Sequence, residues 1–132
     1  MNAIRYISII TTLLFFVSCE DVVNVDLNTA APRLVVDASI DWQKGTDGSA
    51  QKIILSTSTD YYSNVIPKVS GATVFIKNSN NTSYIFNEVP NTGEYQCVNF
   101  EPIIGETYTL TVIYNGATYT ATEKMQSVTP ID

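Results

Sequence analysis

The stretch from residue 107 to residue 124 reads Thr107-Tyr108-Thr109-Leu110-Thr111-Val112-Ile113-Tyr114-Asn115-Gly116-Ala117-Thr118-Tyr119-Thr120-Ala121-Thr122-Glu123-Lys124. Its β-branched and aromatic residues favour strands. The Asn115-Gly116 pair in the middle supplies the positive φ angles that a two-residue type I′ turn requires. The stretch therefore predicts a tight antiparallel hairpin with strands at 107–114 and 117–124.

The same two-residue period recurs upstream of this hairpin. Between residues 34 and 42 an apolar set alternates with polar residues, and it consists of Leu34, Val36, Ala38, Ile40 and Trp42. Such alternation predicts a strand with one buried and one solvated face. Further candidate strands lie at 52–57, 72–77, 83–87 and 94–98, between loops rich in Gly, Asn and Pro. Short strands at this spacing predict an all-β fold, an immunoglobulin-like antiparallel β-sandwich of about seven strands over residues 33–126.

One local motif resembles a signature of immunoglobulin-like domains. It is Asn91-Thr92-Gly93-Glu94-Tyr95-Gln96-Cys97, and in the signature a tyrosine two residues before a cysteine on the sixth strand bonds back to the preceding corner. We therefore predict a tyrosine corner at Tyr95. Since an earlier cysteine partner is missing from the domain, Cys97 is predicted to be a small buried hydrophobe. The alternative, a reactive thiol, would need a basic neighbour.

Composition excludes several classes of function. The chain has 132 residues, 13 acidic and 7 basic side chains and no histidine, so it offers no histidine base or metal ligand, and its acidity argues against nucleic-acid binding. Asp37 and Asp41 share a strand face, but they stand about 13 Å apart, too far to act as one acid–base pair. The loop from Asp41 to Asp47 has too few oxygens for calcium. We predict no catalytic residue, no metal site and no cofactor.

The N-terminus has the form of a secretory signal peptide covering residues 1–18. Arg5 precedes an apolar run from Ile7 to Val17, which as a helix would rise only about 16 Å, roughly half a bilayer core. Phe16-Val17-Ser18-Cys19 then resembles the lipobox of bacterial lipoproteins. The resemblance implies cleavage after Ser18 and acylation of Cys19, for instance with palmitate, which would anchor the chain in a lipid bilayer. The alternative is that Cys19 is an ordinary buried cysteine.

Residues 19–32 are interpreted as an acidic tether. Glu20-Asp21 directly after the cysteine resemble the signal that exports lipoproteins of Bacteroidota to the outer face of the outer membrane. The alternative is a solvated linker that anionic headgroups repel. The stretch from 20 to 32 could span at most about 43 Å, so the domain is predicted to stay close to an outer membrane, lipid-anchored and facing the cell surface.

Tyr61 and Tyr62 are the candidate contacts for a partner or ligand. Adjacent aromatic side chains beside polar residues can form a platform for a sugar or a protein. The alternative is that both rings pack over one end of the sandwich and present only their hydroxyls to water. An exposed edge strand is another surface for a partner, through strand addition, but the pattern does not identify which strands lie at an edge.

Taken together, four motifs resemble one family, the Bacteroidota lipoproteins known as domain of unknown function 4249. The motifs are Ser18-Cys19-Glu20-Asp21-Val22, Pro32-Arg33-Leu34-Val35-Val36-Asp37-Ala38-Ser39-Ile40-Asp41, Val69-Ser70-Gly71-Ala72-Thr73-Val74 and Gly105-Glu106-Thr107-Tyr108-Thr109-Leu110. The resemblance implies an outer-membrane lipoprotein of unassigned activity, encoded beside TonB-dependent receptors, with no defined catalytic residues. Members continue into a second β-rich region, so residues 127–132 are interpreted as a truncated linker.

These observations rank three hypotheses. The first is a non-catalytic, surface-tethered module that binds a partner protein or captures an unidentified ligand for an outer-membrane transporter. The second is a structural or adhesive module of the cell envelope. An enzyme ranks third, because the chain lacks histidine and the domain holds a single cysteine.

Overall fold

Seven strands form one curled antiparallel sheet. The computed structural model describes residues 31–128, and the strands are β1 (Leu34–Ala38), β2 (Gln51–Thr57), β3 (Thr73–Asn78), β4 (Ser83–Val89), β5 (Glu94–Cys97), β6 (Thr107–Tyr114) and β7 (Ala117–Lys124). The predicted strands are therefore confirmed, although β1 ends at Ala38 instead of continuing to Trp42. Asn115 and Gly116 have φ angles of 49° and 75°, so the predicted type I′ turn closes the last hairpin.

The strand order makes the sheet an immunoglobulin-like sandwich. It runs β1-β2-β5-β4-β3-β6-β7, and all neighbours pair antiparallel. Residues 83–86 of β4 pair with β3, whereas residues 87–89 pair with β5, so the sheet bends over at this strand. With the strands lettered A to G along the chain, the order is A-B-E-D followed by C-F-G, the two sheets of a constant-type immunoglobulin domain. The predicted all-β sandwich is thereby confirmed.

The core lies between the two halves of the bent sheet. Alternate residues of β2, β3, β4, β5 and β6 turn inward, as the two-residue period predicts. Both halves supply one continuous cluster, which consists of Ile53, Leu55, Val69, Val74, Ile76, Tyr84, Phe86, Tyr95, Cys97, Phe100, Tyr108 and Val112. Two of these, Val69 and Phe100, lie outside the strands, so alternation did not indicate them.

The first and last strands differ from the others because they form the two edges of the sheet. Every residue of β7 is exposed, and in β1 only Leu34 is partly covered. Burial therefore fades toward both edges, while the central strands keep the alternation of a half-buried sheet. The structure thus identifies the edges that the sequence pattern left open.

Candidate functional site

The connection between β2 and β3 forms a loop that is closed at its base. The amide of Thr57 donates to the carbonyl of Pro67 at 3.0 Å, and Ser56 forms an isolated bridge with Lys68. Inside the loop, the amide of Ser63 donates to the carbonyl of Asp60 at 2.9 Å. We call residues 58–66 the tyrosine loop. The hydrogen bond and the bridge hold the two ends of the loop together.

The tip of the tyrosine loop presents apolar side chains to solvent. Tyr61 is 83% exposed and Tyr62 is 73% exposed, and Val65 and Ile66 beside them are 71% and 60% exposed. The two rings meet edge to face, with centroids 5.2 Å apart. They therefore do not pack over the end of the sandwich, and the platform interpretation fits the observed exposure better than the packing alternative. Several exposed apolar side chains in one short loop are typical of interaction sites.

The chain enters the domain at the same end of the sandwich as the tyrosine loop. The amide of Arg33 donates to the Ser58 hydroxyl at 2.9 Å, and the amide of Ser58 donates to the Arg33 carbonyl at 2.8 Å. This reciprocal pair joins the residue before β1 to the first residue of the loop. The chain therefore enters β1 beside the base of the tyrosine loop.

A groove separates the two edge strands on the open side of the sandwich. Near the C-terminal ends of β1 and β7 its volume is about 870 Å³, and its walls include Val36, Trp42, Ala121 and Met125. A second cavity of about 620 Å³ lies where both strands begin. The sequence did not indicate this groove, because its walls come from opposite ends of the chain.

The predicted tyrosine corner at Tyr95 is wrong in its strand. Tyr95 lies on the fifth strand, and its hydroxyl reaches across to a distant segment, donating to the Val69 carbonyl and accepting from the Ala72 amide, both at 3.1 Å. The corner is formed by Tyr108, near the start of the sixth strand, where its hydroxyl donates to the Glu101 carbonyl at 2.9 Å. Burial raises the pKa of both phenols, which stay neutral donors.

The acidic residues between β1 and β2 have structural partners. The Ser39 hydroxyl donates to the Asp41 carboxylate at 2.9 Å. Asp47 accepts from the Ser49 amide at 3.1 Å and from the Ser49 hydroxyl at 3.0 Å, and these bonds lower the pKa of Asp47. Within residues 31–128, no group of three or more Cys, Asp or Glu side chains is placed to hold a metal ion. These carboxylates shape the loop.

The buried side chain of Gln51 ties that loop to β2. Its amide nitrogen donates to the carbonyls of Asp41 at 2.8 Å and Gly48 at 2.7 Å, while its oxygen accepts from the Asp41 amide at 3.0 Å. Both polar atoms of this buried amide are hydrogen-bonded, which offsets their loss of contact with water. Gln51 therefore has a structural role that its position at the start of a strand did not reveal.

Cys97 is a free thiol in the core, only 2% exposed. Its sulfur lies 3.1 Å from the Asn99 side-chain oxygen, to which it donates. The prediction of a small buried hydrophobe is confirmed as far as its burial is concerned. A thiol this deeply buried is poorly placed to act as a nucleophile.

Ser18 and Cys19, the predicted cleavage and acylation positions, lie outside the described residues. Among residues 31–128 no helix is long and apolar enough to cross a membrane. A family model described as "Domain of unknown function (DUF4249)" matches residues 20–132 of the chain. Neither a curated protein nor a solved structure matches the chain.

Proposed function

Because the chain belongs to the DUF4249 family, we propose that it is a lipid-anchored binding module of the outer membrane. In this proposal acylated Cys19 holds a non-catalytic β-sandwich at the membrane. The sandwich binds a partner protein or captures a ligand for an outer-membrane transporter. The exposed tyrosine loop carries the proposal.

The tyrosine loop has the chemistry of a protein contact. Tyrosine rings offer a large, rigid apolar area with a hydroxyl for hydrogen bonding, and such residues dominate the binding energy of many interfaces. Tyr61 and Tyr62 meet edge to face, which limits the freedom that a partner must remove on binding. Val65 and Ile66 in the same loop add further exposed apolar area.

The position of the loop favours a partner in the same membrane. The pair of hydrogen bonds between Arg33 and Ser58 puts the entry of the chain beside the loop. A tether that runs from residue 32 back to Cys19 would therefore leave from the end that carries Tyr61 and Tyr62. A transporter embedded beside the anchor would lie within reach of both rings.

Other groups in the domain do not support catalysis. The chain has no histidine, the Cys97 thiol is buried, and the carboxylates of Asp41 and Asp47 accept hydrogen bonds from neighbouring serines. General acid–base or nucleophilic catalysis needs a group that reaches substrate with a suitable pKa. A binding role makes no such demand.

The anchor is tested by comparing Cys19→Ala with Cys97→Ala in cells. We expect Cys19→Ala to abolish acylation and to release the protein from the membrane fraction. Cys97→Ala alters a buried core thiol and should leave acylation and membrane retention unchanged. Unchanged membrane retention of the Cys19→Ala protein would disprove the lipid anchor.

The binding role is tested by purifying the protein after mild solubilisation of membranes. We expect a TonB-dependent receptor to co-purify, and the double change Tyr61→Ser and Tyr62→Ser to reduce its yield about tenfold, as for an interface hot spot. The control is Val98→Ser, which removes another exposed apolar side chain, 75% exposed and remote in sequence.

Two results would count against the binding role. One is a lone monomer under mild conditions, and the other is an equal loss of yield in the double variant and the control. A deletion strain with impaired attachment or envelope integrity but normal nutrient uptake would favour the structural or adhesive alternative instead.

A further inference from the structure

The cavity where β1 and β7 begin differs in charge from the larger cavity near their ends. Its volume of about 620 Å³ lies within the range of sites that hold small molecules. Among the described residues that line it, Arg33 is the only charged one, whereas Asp41 and Glu123 line the larger cavity together with two lysines. We call the smaller one the arginine cavity. Its walls include Arg33, Leu34, Thr57, Tyr114, Asn115 and Tyr119.

Backbone hydrogen bonds fix the position of Arg33 in one wall. Its amide donates to the Ser58 hydroxyl at 2.9 Å, and its carbonyl accepts from the Ser58 amide at 2.8 Å. The next residue, Leu34, already pairs with Thr57 of β2. The side chain of Arg33 therefore starts from a fixed point of the cavity. A guanidinium group binds carboxylates and phosphates through two parallel hydrogen bonds.

The last hairpin forms the opposite wall. Tyr119 pairs with Val112, and Ala117 pairs with Tyr114. Directly opposite residues of antiparallel strands point to the same side of the sheet, and Val112 is buried in the core, so all four side chains belong to the inner face of the hairpin. Tyr119 is nevertheless 44% exposed. The small side chain of Ala117 leaves open space between this ring and the turn.

The groups in the arginine cavity match the chemistry of an acidic sugar. A sugar ring has an apolar C–H face, which an aromatic ring can cover, and hydroxyl groups around its rim, which need hydrogen-bonding partners. Tyr119 supplies the aromatic ring. Hydroxyl and amide groups come from Thr57, Tyr114 and Asn115. A purely apolar ligand would displace water from these polar groups without replacing its hydrogen bonds.

We propose that the arginine cavity binds a sugar that carries an anionic group. The acidic group pairs with Arg33, and the sugar ring lies against Tyr119. This site goes beyond the proposed partner contact, because it does not depend on Tyr61 or Tyr62. It lies at the same end of the sandwich as the tyrosine loop, since Arg33 is bonded to Ser58, the first residue of that loop. A sugar held there is close to the surface that contacts the partner.

Calorimetric titration of the purified full chain tests the site. The chain is kept in a detergent without a sugar head group, and the probes are glucuronate, glucose 6-phosphate and glucose. At least one acidic sugar should bind about tenfold or more tightly than glucose, and added salt should weaken that binding. The two acidic sugars show whether the guanidinium takes a carboxylate or a phosphate. Acetate and inorganic phosphate, which lack the ring, should bind about tenfold or more weakly than the matching sugar.

Substitutions of Arg33 test the role of the guanidinium group. Arg33→Gln should lower the affinity for the acidic sugar about tenfold or more, to the level of glucose. Arg33→Lys keeps the charge but loses the paired hydrogen bonds, so its affinity should be intermediate. The matched control is Lys68→Gln, which removes an exposed positive charge at the base of the tyrosine loop. This control should leave the affinity unchanged.

A second pair of variants tests the cavity itself. Ala117→Leu should fill the space beside Tyr119 and lower the affinity for the acidic sugar about tenfold or more. Thr118→Leu adds the same side chain on the other face of the same exposed strand, and it should keep the affinity of the wild type. Both variants should retain a cooperative urea transition, which shows that the domain remains folded.

Three results would overturn the proposal. The first is that neither acidic sugar binds more tightly than glucose, whether all three bind equally or none binds at all. The second is an equal loss of affinity in Arg33→Gln and Lys68→Gln, which would indicate general attraction by positive charge. The third is acetate or inorganic phosphate binding as tightly as the matching sugar, which would show an anion site without sugar recognition. The yield of co-purified receptor tests the tyrosine loop separately.

Discussion

The hydroxyl of Tyr108 donates a hydrogen bond to the backbone carbonyl of Glu101 at 2.9 Å and accepts one from the amide of Ile103 at the same distance. The ring packs against Phe100, with centroids 5.1 Å apart. One side chain thus fixes the turn from the fifth strand to the sixth and fills part of the core. These contacts make Tyr108 the tyrosine corner of the sandwich.

Removing this hydroxyl should destabilise the domain. Tyr108→Phe keeps the ring but leaves the Glu101 carbonyl and the Ile103 amide without their partner, at a cost of about 1–2 kcal/mol in the free energy of unfolding. Urea denaturation measures the change. Tyr119→Phe is the control, since that side chain is 44% exposed and should change stability little. Equal effects of the two substitutions would contradict a special role for Tyr108.

Gly93 should tolerate a methyl group far less well than Gly71. Both have positive φ angles, 69° and 77°, but a Cβ on Gly93 would meet the Leu55 carbonyl oxygen at 2.5 Å, whereas nothing lies within 4 Å at Gly71. Gly71→Ala should cost about 1 kcal/mol from backbone strain alone, and Gly93→Ala about 3 kcal/mol or more. Thermal and urea unfolding of the two variants separate the cost of the steric clash at residue 93 from the cost of backbone strain. Equal losses of stability in both variants would rule out the clash.

Acid should remove the stabilisation that the Glu106 carboxylate gives to the folded domain. The hydroxyl of Ser79 donates a hydrogen bond to the Glu106 carboxylate, and so does the Ser79 amide. These two bonds, the hydroxyl's more than the amide's, lower the pKa of Glu106 below the ordinary 4.5. Because the folded pKa is the lower one, the stabilisation is complete above pH 4.5 and is lost as the pH falls through the folded pKa.

The comparison of wild type with Glu106→Gln checks this sign. The melting temperature of the wild type should exceed that of the variant at neutral pH, and the gap should narrow on acidification below pH 4.5. Glu123→Gln, at an exposed position on β7, is the control. A gap that widens in acid would show that the sign is wrong.

Cys97 should resist alkylation while the domain is folded. Its thiol is 2% exposed, so reagent reaches it only when the structure opens, and the reaction should be roughly a hundredfold slower than in urea. Mass spectrometry of the Cys97 peptide after iodoacetamide treatment follows the rate. Fast labelling of the native chain would mean that the thiol is accessible and would reopen a reactive role.

The sequence predicted the strands well because alternation is a local property. In β3 the predicted inward positions Val74 and Ile76 are buried, and the turn at Asn115-Gly116 has the expected positive φ angles. The local pattern gave the wrong strand for Tyr95, because a strand's place in the sheet depends on pairing between residues far apart in the sequence. The Tyr-x-Cys motif at Tyr95 looked like the sixth strand, yet it lies on the fifth, because position in the sheet depends on which strands become neighbours.

The candidate site shows the same division. Adjacent tyrosines at 61 and 62 were recognisable as aromatic, but only the structure shows that the rings are exposed and stand beside the entry of the chain. Phe100 carried no strand pattern, and it is buried because Tyr84 and Tyr108 close around it. In both cases the exposure of the side chain depends on packing between residues that are far apart in the sequence.

By itself, the sequence determined the strands, the turn and the inward faces of the central strands, since side-chain alternation and turn chemistry act between neighbours along the chain. Only the tertiary structure decided the strand order, the choice of Tyr108 for the corner and the groove between the edges. The order joins β1 to β2 but leaves β1 and β7 facing each other. That outcome depends on how the sheet bends at β4, where one strand pairs with both halves of the sandwich.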